Sequence, residues 1–362
     1  MKSKEEILRQ IIRNIDSVDK NVMEKAKERM NSLAKPLNSL GKLEEMSIRL
    51  SGITGYIKNT LDKRAIIIMC SDNGVVEEGV ASTPQYVTLA QTINFTKGLT
   101  GVGVIAKANN TDLKVIDVGI NSDFTHSSVL NRKIRKSTNN IAKGNAMTYE
   151  EAIKAILVGI EAVKNAKEEG YKILGVGEMG IGNTSTSSAV LSSLTGCKVE
   201  DVVGYGGGLL EKAYKKKIEV VKKSIEINKP KKDDPIDILS KVGGFDIAAM
   251  VGVFLGAAYY KIPVVIDGFI SVVAALVAFR LNHKTKEYMF TSHDSKEIGF
   301  KIAMKELELE AILNLDMGLG EGSGCPLAFS IMDSSCAVMN NMATFEEAKI
   351  NDSYLDELRK LN

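Results

Sequence analysis

The chain of 362 residues has almost no surplus of charge: 47 Lys and Arg stand against 45 Asp and Glu, a formal net of +2. That balance excludes a polyanion as extended as nucleic acid as the main partner, and leaves room only for a local pocket taking one phosphate. Histidine is scarce, at positions 126, 283 and 293, and the four cysteines (70, 197, 325, 336) include no CxxC pair. Neither a zinc centre nor a disulfide framework is expected; no metal site is predicted, and the setting is a reducing one, the cytoplasm. The first residues, MKSKEEILRQIIRN, are charged and helix-like and lack the apolar core of a signal peptide. Long hydrophobic runs are also missing. The most apolar region, 247–279, is interrupted by Lys261, Pro263 and Asp267, and its pieces fall short of the ~20 residues that span a bilayer, so no membrane partner is expected. No repeat or low-complexity segment is present. What remains is an ordinary globular composition, 44% hydrophobic and 25% charged, with ample material for a large core.

Along the chain, residues 1–60 read as helical. Two charged amphipathic segments over about 5–33 precede KPLNSLGKLEE (35–45), and a third helix follows to about 53. Apolar runs then alternate with helical periodicity. Strands are expected at 64–70, 113–119, 172–177 and 262–267. Helices are expected at 148–169, after a Gly-rich loop to about 195, at 209–228, 246–260, 269–281, near 295–307 and at 323–342. Strands apolar throughout and alternating with helices predict a doubly wound α/β fold, a parallel sheet with helices on both faces. The N-terminal helices and C-terminal tail form a small helical subdomain in this reading. Its divisions are 1–60, a helical segment; 61–342, an α/β catalytic domain; and 343–362, a helical tail. Every unusual loop follows a strand, where ligands of such sheets bind.

Three segments carry candidate chemistry. Residues 175–188, GVGEMGIGNTSTSS, begin with GxGxxG after a strand, and Glu200 and Asp201 follow about twenty residues on, the outline of a dinucleotide fingerprint. The pattern suits a phosphate site equally: glycines admit a ligand close to the backbone, Asn183 or Thr184 caps the helix, and free N–H groups face the anion. A plain strand–helix turn is the bland alternative, though it has no need of Glu178. A second Gly-rich loop, 203–209, precedes Lys212 and Lys215–Lys217; such a run is ordinarily a solvated helix face, unless one lysine pairs with the phosphate. The third segment, LDMGLGEGSGCP (315–326), sets Glu321 between glycines before an apolar helix. It reads either as an anion capping that helix or as a general base in a pocket. Ser292, His293 and Asp294 are sequence neighbours, whereas triads converge from separate elements, so Asp294 or Ser295 is expected to cap a helix instead. No GxxxxGK[ST] loop occurs, and no adjacent acid pair ends an apolar strand before a Thr/Gly loop. A P-loop NTPase is excluded, and a phosphoribosyltransferase that uses magnesium pyrophosphate is disfavoured.

Taken together, the loops resemble the nicotinate-nucleotide–dimethylbenzimidazole phosphoribosyltransferase family of cobalamin biosynthesis. The likeness rests on KPLNSLGKLEE (35–45), DNGV (72–75), EGV (78–80), Pro84, Val87 and Thr88, TGV (100–102) and VIDVG (115–119). It continues through GEMGIGNT (177–184), LSKVGGFD (239–246), IDGF (266–269), Ser292 and His293, and LGEGSG (319–324). The resemblance implies transfer of ribose 5-phosphate from nicotinate mononucleotide to a benzimidazole, without a cofactor, by a cytoplasmic homodimer. It implies Glu321 as the base and Glu178 as the second acid. It further implies Gly180, Gly182, Asn183, Thr184, Lys217 and Ser295 at the phosphate, and Thr83, Gln91 and Leu319 along the substrate pocket. Asn73, where many members carry His, and Thr83, where several carry Ser, depart from the pattern and bear on which base is accepted. The competing readings are an NAD-dependent oxidoreductase built on Gly175–Gly180 and a catalytically silent nucleotide-binding protein.

Overall fold

The apolar runs of the body pair into one sheet. In the computed structural model, which describes residues 2–353, the strands are β1 (Arg64–Ser71), β2 (Asp112–Gly119), β3 (Val129–Asn131), β4 (Ile173–Met179), β5 (Val264–Ile266) and β6 (Met289–Thr291). They form an all-parallel sheet in the order β3-β2-β1-β4-β5-β6. β1 is central, with Ile68 opposite Val115 on one side and Gly177 on the other. Every β1 residue after Arg64 is buried, as a strand covered on both faces requires. The strands at 64–70, 113–119, 172–177 and 262–267 are those the sequence predicts. β3 and β6, three residues each, lack the flanking apolar run (residues 262–266) that marks the equally short β5.

The helices are α1 (Lys4–Arg13), α2 (Lys20–Ser32), α3 (Lys42–Thr54), α4 (Val87–Thr96), α5 (Gly101–Ala108), α6 (Tyr149–Glu168) and α7 (Asn183–Thr195). They continue with α8 (Val199–Val202), α9 (Glu211–Asn228), α10 (Pro235–Val242), α11 (Phe245–Tyr260), α12 (Phe269–Leu281), α13 (Ile298–Leu307) and α14 (Cys325–Asn341). The chain divides into two units: residues 1–16 with 63–328, which hold the sheet, and residues 17–62 with the segment from 329 onward.

In the first unit, α11 is apolar on every face after Asp246 in its first turn, and residues 245–258 are buried without exception. Its closest packing is on α6, where both helices present glycine. A Cβ added to Gly252 would meet the Ile156 carbonyl oxygen at 1.9 Å, and one on Gly159 would meet the Ala249 carbonyl oxygen at 1.9 Å. The apolar surplus at 247–279 is thus consumed by the fold itself. α1 belongs to this unit and not with the other N-terminal helices. Asn282, Lys284 and Tyr288 donate side-chain hydrogen bonds to the Ile12, Ile15 and Asp16 carbonyls, and Leu8 and Ile15 are buried.

The second unit has its own small core, in which Ala26, Met30, Leu33 and Met339 pack with Ile48, Ile57, Val338 and Met342. The KPLNSLGKLEE segment closes on itself here. Lys35 Nζ lies 2.7 Å from Glu44 Oε1, and the same oxygen accepts the Leu40 N–H, so this motif is a buried turn. The helical tail expected over 343–362 is not helical between 343 and 352, where a bridge from Thr344 to Leu33 is followed by turns. The rest of that segment, from Tyr354, lies outside the described residues. Among the described residues no helix is long and apolar enough to cross a membrane.

Candidate active site

Strand order reverses between β1 and β4, and it is outside the carboxyl ends near such a reversal that ligands of doubly wound sheets bind. A cavity of about 280 Å³ opens there. The segments that follow β1, β4, β5 and β6 line it, together with residues 205–207, Leu209, Lys217 and residues 318–321. All eleven positions expected at the site border this one cavity: Thr83, Gln91, Glu178, Gly180, Gly182, Asn183, Thr184, Lys217, Ser295, Leu319 and Glu321.

The glycines of the fingerprint-like stretch do other work than a dinucleotide turn. Gly175 and Gly177 lie inside β4. A Cβ on Gly175 would meet Cys325 Cβ at 2.6 Å, and one on Gly177 would meet the Glu321 carbonyl oxygen at 2.3 Å. They let the segment entering α14 lie directly on the strand, which removes the basis for the oxidoreductase reading. Gly182, with φ +95°, is the N-cap of α7, and no side chain caps that helix. Asn183 does not cap it, contrary to expectation. Its Nδ2 instead donates to Glu178 Oε2 and, at 3.2 Å, to Asp246 Oδ2. Thr184 stands in the first turn of α7, where the helix dipole favours an anion.

Lys217 is the exception in its run. Lys212, Lys215 and Lys216 are exposed, whereas Lys217 is fully buried. Its Nζ donates to Thr184 Oγ1 at 2.9 Å and to the Gly204 carbonyl at 3.0 Å. Burial pulls its pKa down to about 8, with Glu297 acting in the opposite sense. A lysine held by two neutral acceptors has a donor to spare for an anion. Ser295 does not cap a helix with its neighbour Asp294, as expected. The N-cap of α13 is Glu297, without a side-chain cap, and Ser295 is buried in the cavity wall.

Glu321 is 6% exposed, and its φ of +64° is flanked by +84° at Gly320 and +89° at Gly322. A left-handed glutamate costs about 1–2 kcal/mol, so the surroundings must impose it. Its Oε2 accepts the Val102 N–H at 3.0 Å and its Oε1 the Gln91 amide at 3.4 Å. The carboxylate therefore lies at the start of α5, not at the helix that follows it, and the expectation of a cap on α14 is corrected. Burial raises its pKa, opposed by hydrogen bonds from Val102, Gln91 and Gly101. The Glu321 N–H in turn reaches Glu178 Oε1 at 3.3 Å. Burial, then the charge of Asp246, push Glu178 up to about 8.

Three acids of this region had no role assigned from sequence. Asp246 is fully buried and pushed up to about 6 by burial. Asp267 accepts the Gly322 and Gly324 N–H groups at 3.0 and 2.7 Å, and burial pushes it to about 7. Glu297 lines the cavity near Lys217. The available signal was positional: Asp267 ends an apolar strand before Gly268. Ser292 Oγ lies 2.8 Å from the Ile266 carbonyl and 3.2 Å from His293 Nδ1, and Asp267 Oδ1 is 3.8 Å from that same ring nitrogen, so serine and acid meet one nitrogen and do not form a Ser/His/Asp relay across the ring.

The model of a family described as phosphoribosyltransferase matches residues 15–350, and the class of the protein is that of a phosphoribosyl-transferring enzyme. The chain is 62% identical over 353 residues to the nicotinate-nucleotide–dimethylbenzimidazole phosphoribosyltransferase of Clostridium perfringens strain ATCC 13124, covering 98% of each chain. It is 52% identical over 340 residues to the protein of the same name from Clostridium acetobutylicum, covering 94% of this chain and 97% of that one. The crystal structure of CobT from Thermus thermophilus is similar with a TM-score of 0.88 at 36% identity, over 92% of this chain and 100% of that one. The chain belongs to the nicotinate-nucleotide–dimethylbenzimidazole phosphoribosyltransferase family.

Proposed function

We propose that the protein transfers ribose 5-phosphate from nicotinate mononucleotide to 5,6-dimethylbenzimidazole or a related base. The products are nicotinate and α-ribazole 5'-phosphate, the nucleotide of the cobalamin lower ligand. One observation carries the reading in this chain: Thr184, Lys217 and Ser295, at and around the start of α7, share a single cavity with two buried glutamates. The first group suits a phosphate monoester. The second suits a reaction that must remove a proton from a heterocycle.

The chemistry assigns roles in turn. A lone pair on one imidazole nitrogen forms a bond to the ribose anomeric carbon on the face opposite nicotinate. The bond from that carbon to the pyridinium nitrogen breaks, and its electron pair returns to the pyridine ring, so the configuration inverts from β to α. The alkylated benzimidazole is cationic until its other nitrogen loses its proton. At neutral pH Glu178, pushed up to about 8, holds its proton. Glu321, whose charge is supported by three donors, is therefore the acceptor. Burial raises both acids, and the roles divide on what accompanies it: three hydrogen bonds favour the charged form of Glu321, whereas the charge of Asp246 adds to the rise at Glu178. Gly180, Gly182 and Asn183 let the phosphate approach the backbone, and Thr83, Gln91 and Leu319 border the base. The same reading, on the family resemblance, takes the protein as a cytoplasmic homodimer.

The test is steady-state nicotinate release from nicotinate mononucleotide against a panel of benzimidazoles and purines. Glu321→Gln retains size and hydrogen bonding but removes the base. General-base catalysis contributes about 10²–10⁴-fold, so kcat falls at least about 10²-fold while calorimetry still detects mononucleotide binding. A folded Glu321→Gln protein with wild-type turnover eliminates this assignment. Absence of nicotinate release with every base in the panel eliminates the transferase and leaves the silent nucleotide-binding protein.

A further inference from the structure

Glu321 is the middle of three successive left-handed residues, and left-handed backbone in a residue bearing a Cβ persists only where neighbours over-determine it. The carboxylate contacts at α5 and Gln91 fix the tip of the side chain. Its backbone needs a separate anchor, and one stands directly behind it. Asp267, 3% exposed, leaves the end of β5 and receives two N–H groups from the segment: Gly322 on Oδ2 at 3.0 Å and Gly324 on Oδ1 at 2.7 Å. Each carboxylate oxygen takes one amide, so the side chain clamps the two residues that bracket Ser323. The walls around the clamp are close. A Cβ on Gly322 would meet Ile66 Cγ2 at 2.7 Å, and one on Gly324 would meet His293 Nδ1 at 2.2 Å. The Asp267 N–H is itself held by Ser271 Oγ at 3.2 Å, which ties the clamp to the first turn of α12.

We propose that Asp267 is a positioning residue for the transfer reaction, setting the backbone of Glu321 through the Gly322 and Gly324 amides so that the glutamate carboxylate faces the bound base. This rests on the reading of Glu321 as the base. Asp267→Asn keeps shape and one acceptor but turns its other atom into a donor facing an N–H group, which opens one half of the clamp. Misplacing a reacting group by about 1 Å can cost ~10²-fold. Asp267→Asn is expected to lower kcat by about tenfold to a hundredfold, with little change in KM for nicotinate mononucleotide. In a Glu321→Gln background the same substitution lowers kcat no further, because the group it positions is gone.

The comparison separates the two ideas. If Glu321→Gln alone turns over normally, the base assignment fails. If Glu321→Gln is impaired while Asp267→Asn is unimpaired, or if the two losses multiply in the double variant, positioning by Asp267 is overturned and the base assignment stands. Amide hydrogen exchange of the wild-type protein needs no variant. Slow exchange at Gly322 and Gly324, comparable with the amides of β4, is the expected result, and fast exchange at both rejects the clamp even if Asp267→Asn does not fold.

Discussion

Lys217 illustrates how one residue leaves the behaviour of its neighbours. Three lysines of its run are solvated, and it alone turns inward to Thr184 and the Gly204 carbonyl. A lysine lowered to about 8 by burial is charged at pH 7 and neutral by pH 9. KM for nicotinate mononucleotide should accordingly rise as pH increases through 8. Lys217→Ala should show a raised KM at all pH values and lose this rise, with kcat less affected because a ground-state contact has been removed. Initial-rate kinetics between pH 6.5 and 9.5 check both statements. Glu178 yields a stability prediction. Its native pKa, about 8, lies above the ordinary 4.5 of a glutamate. Between those values the folded state holds a proton that the unfolded state lacks. The contribution to stability is therefore complete below about pH 4.5 and is lost as pH rises through 8. Asp246 and Asp267, raised to about 6 and 7, act in the same direction. Glu178→Gln cannot ionise, so its melting temperature should gain on the wild type from pH 5 to about pH 8 and then level off, as read by thermal melts.

At the scale of elements, the α6–α11 crossing depends on two glycines that bring the helices together. Gly252→Ala or Gly159→Ala would set a methyl 1.9 Å from a carbonyl oxygen. The helices must separate, at a cost of about 1–3 kcal/mol for overpacking, measurable as a lower denaturant midpoint. Elements of this length were legible beforehand. The apolar runs at 64–70 and 172–177 and the helix at 148–169 announce themselves through periodicity, and the structure adds a capping box of Thr148 and Glu151 at the start of that helix. β3 and β6 did not, because neither sits in an apolar run like the one around the equally short β5. The motifs were legible as glycine-rich segments after strands. The partners of their side chains were not, since Asp267 meets Gly322 across 55 residues of sequence and Glu321 meets Val102 across 219. The same gap explains why Asn183 was expected as a cap: local pattern suggests a local bond, and the Glu178 and Asp246 carboxylates took its amide instead.

For the whole molecule, an apolar stretch as rich as 247–279 would favour a partner copy if it lay at the surface. It is interior instead, so the homodimer now rests on the family resemblance alone. Exposed large apolar side chains remain at Tyr86, Leu99 and Val104, on or beside α4 and α5, a region suited to a partner copy. Light scattering at micromolar concentration should return twice the chain mass, and an interface of that kind buries more than about 1,000 Å². A monomer there removes the dimer from the reading.

The segment that bears Glu321 has a consequence for the order in which the molecule becomes competent. β4 is complete by residue 179, yet its Gly177 stays uncovered until residues 321 and 322, synthesised more than a hundred positions later, come to rest on it. A growing chain that stops before residue 318 already carries Thr184, Lys217 and Ser295, but neither the acid nor the two amides that Asp267 awaits. On the proposed function, such a chain should release no nicotinate, because the base is among the residues still to come.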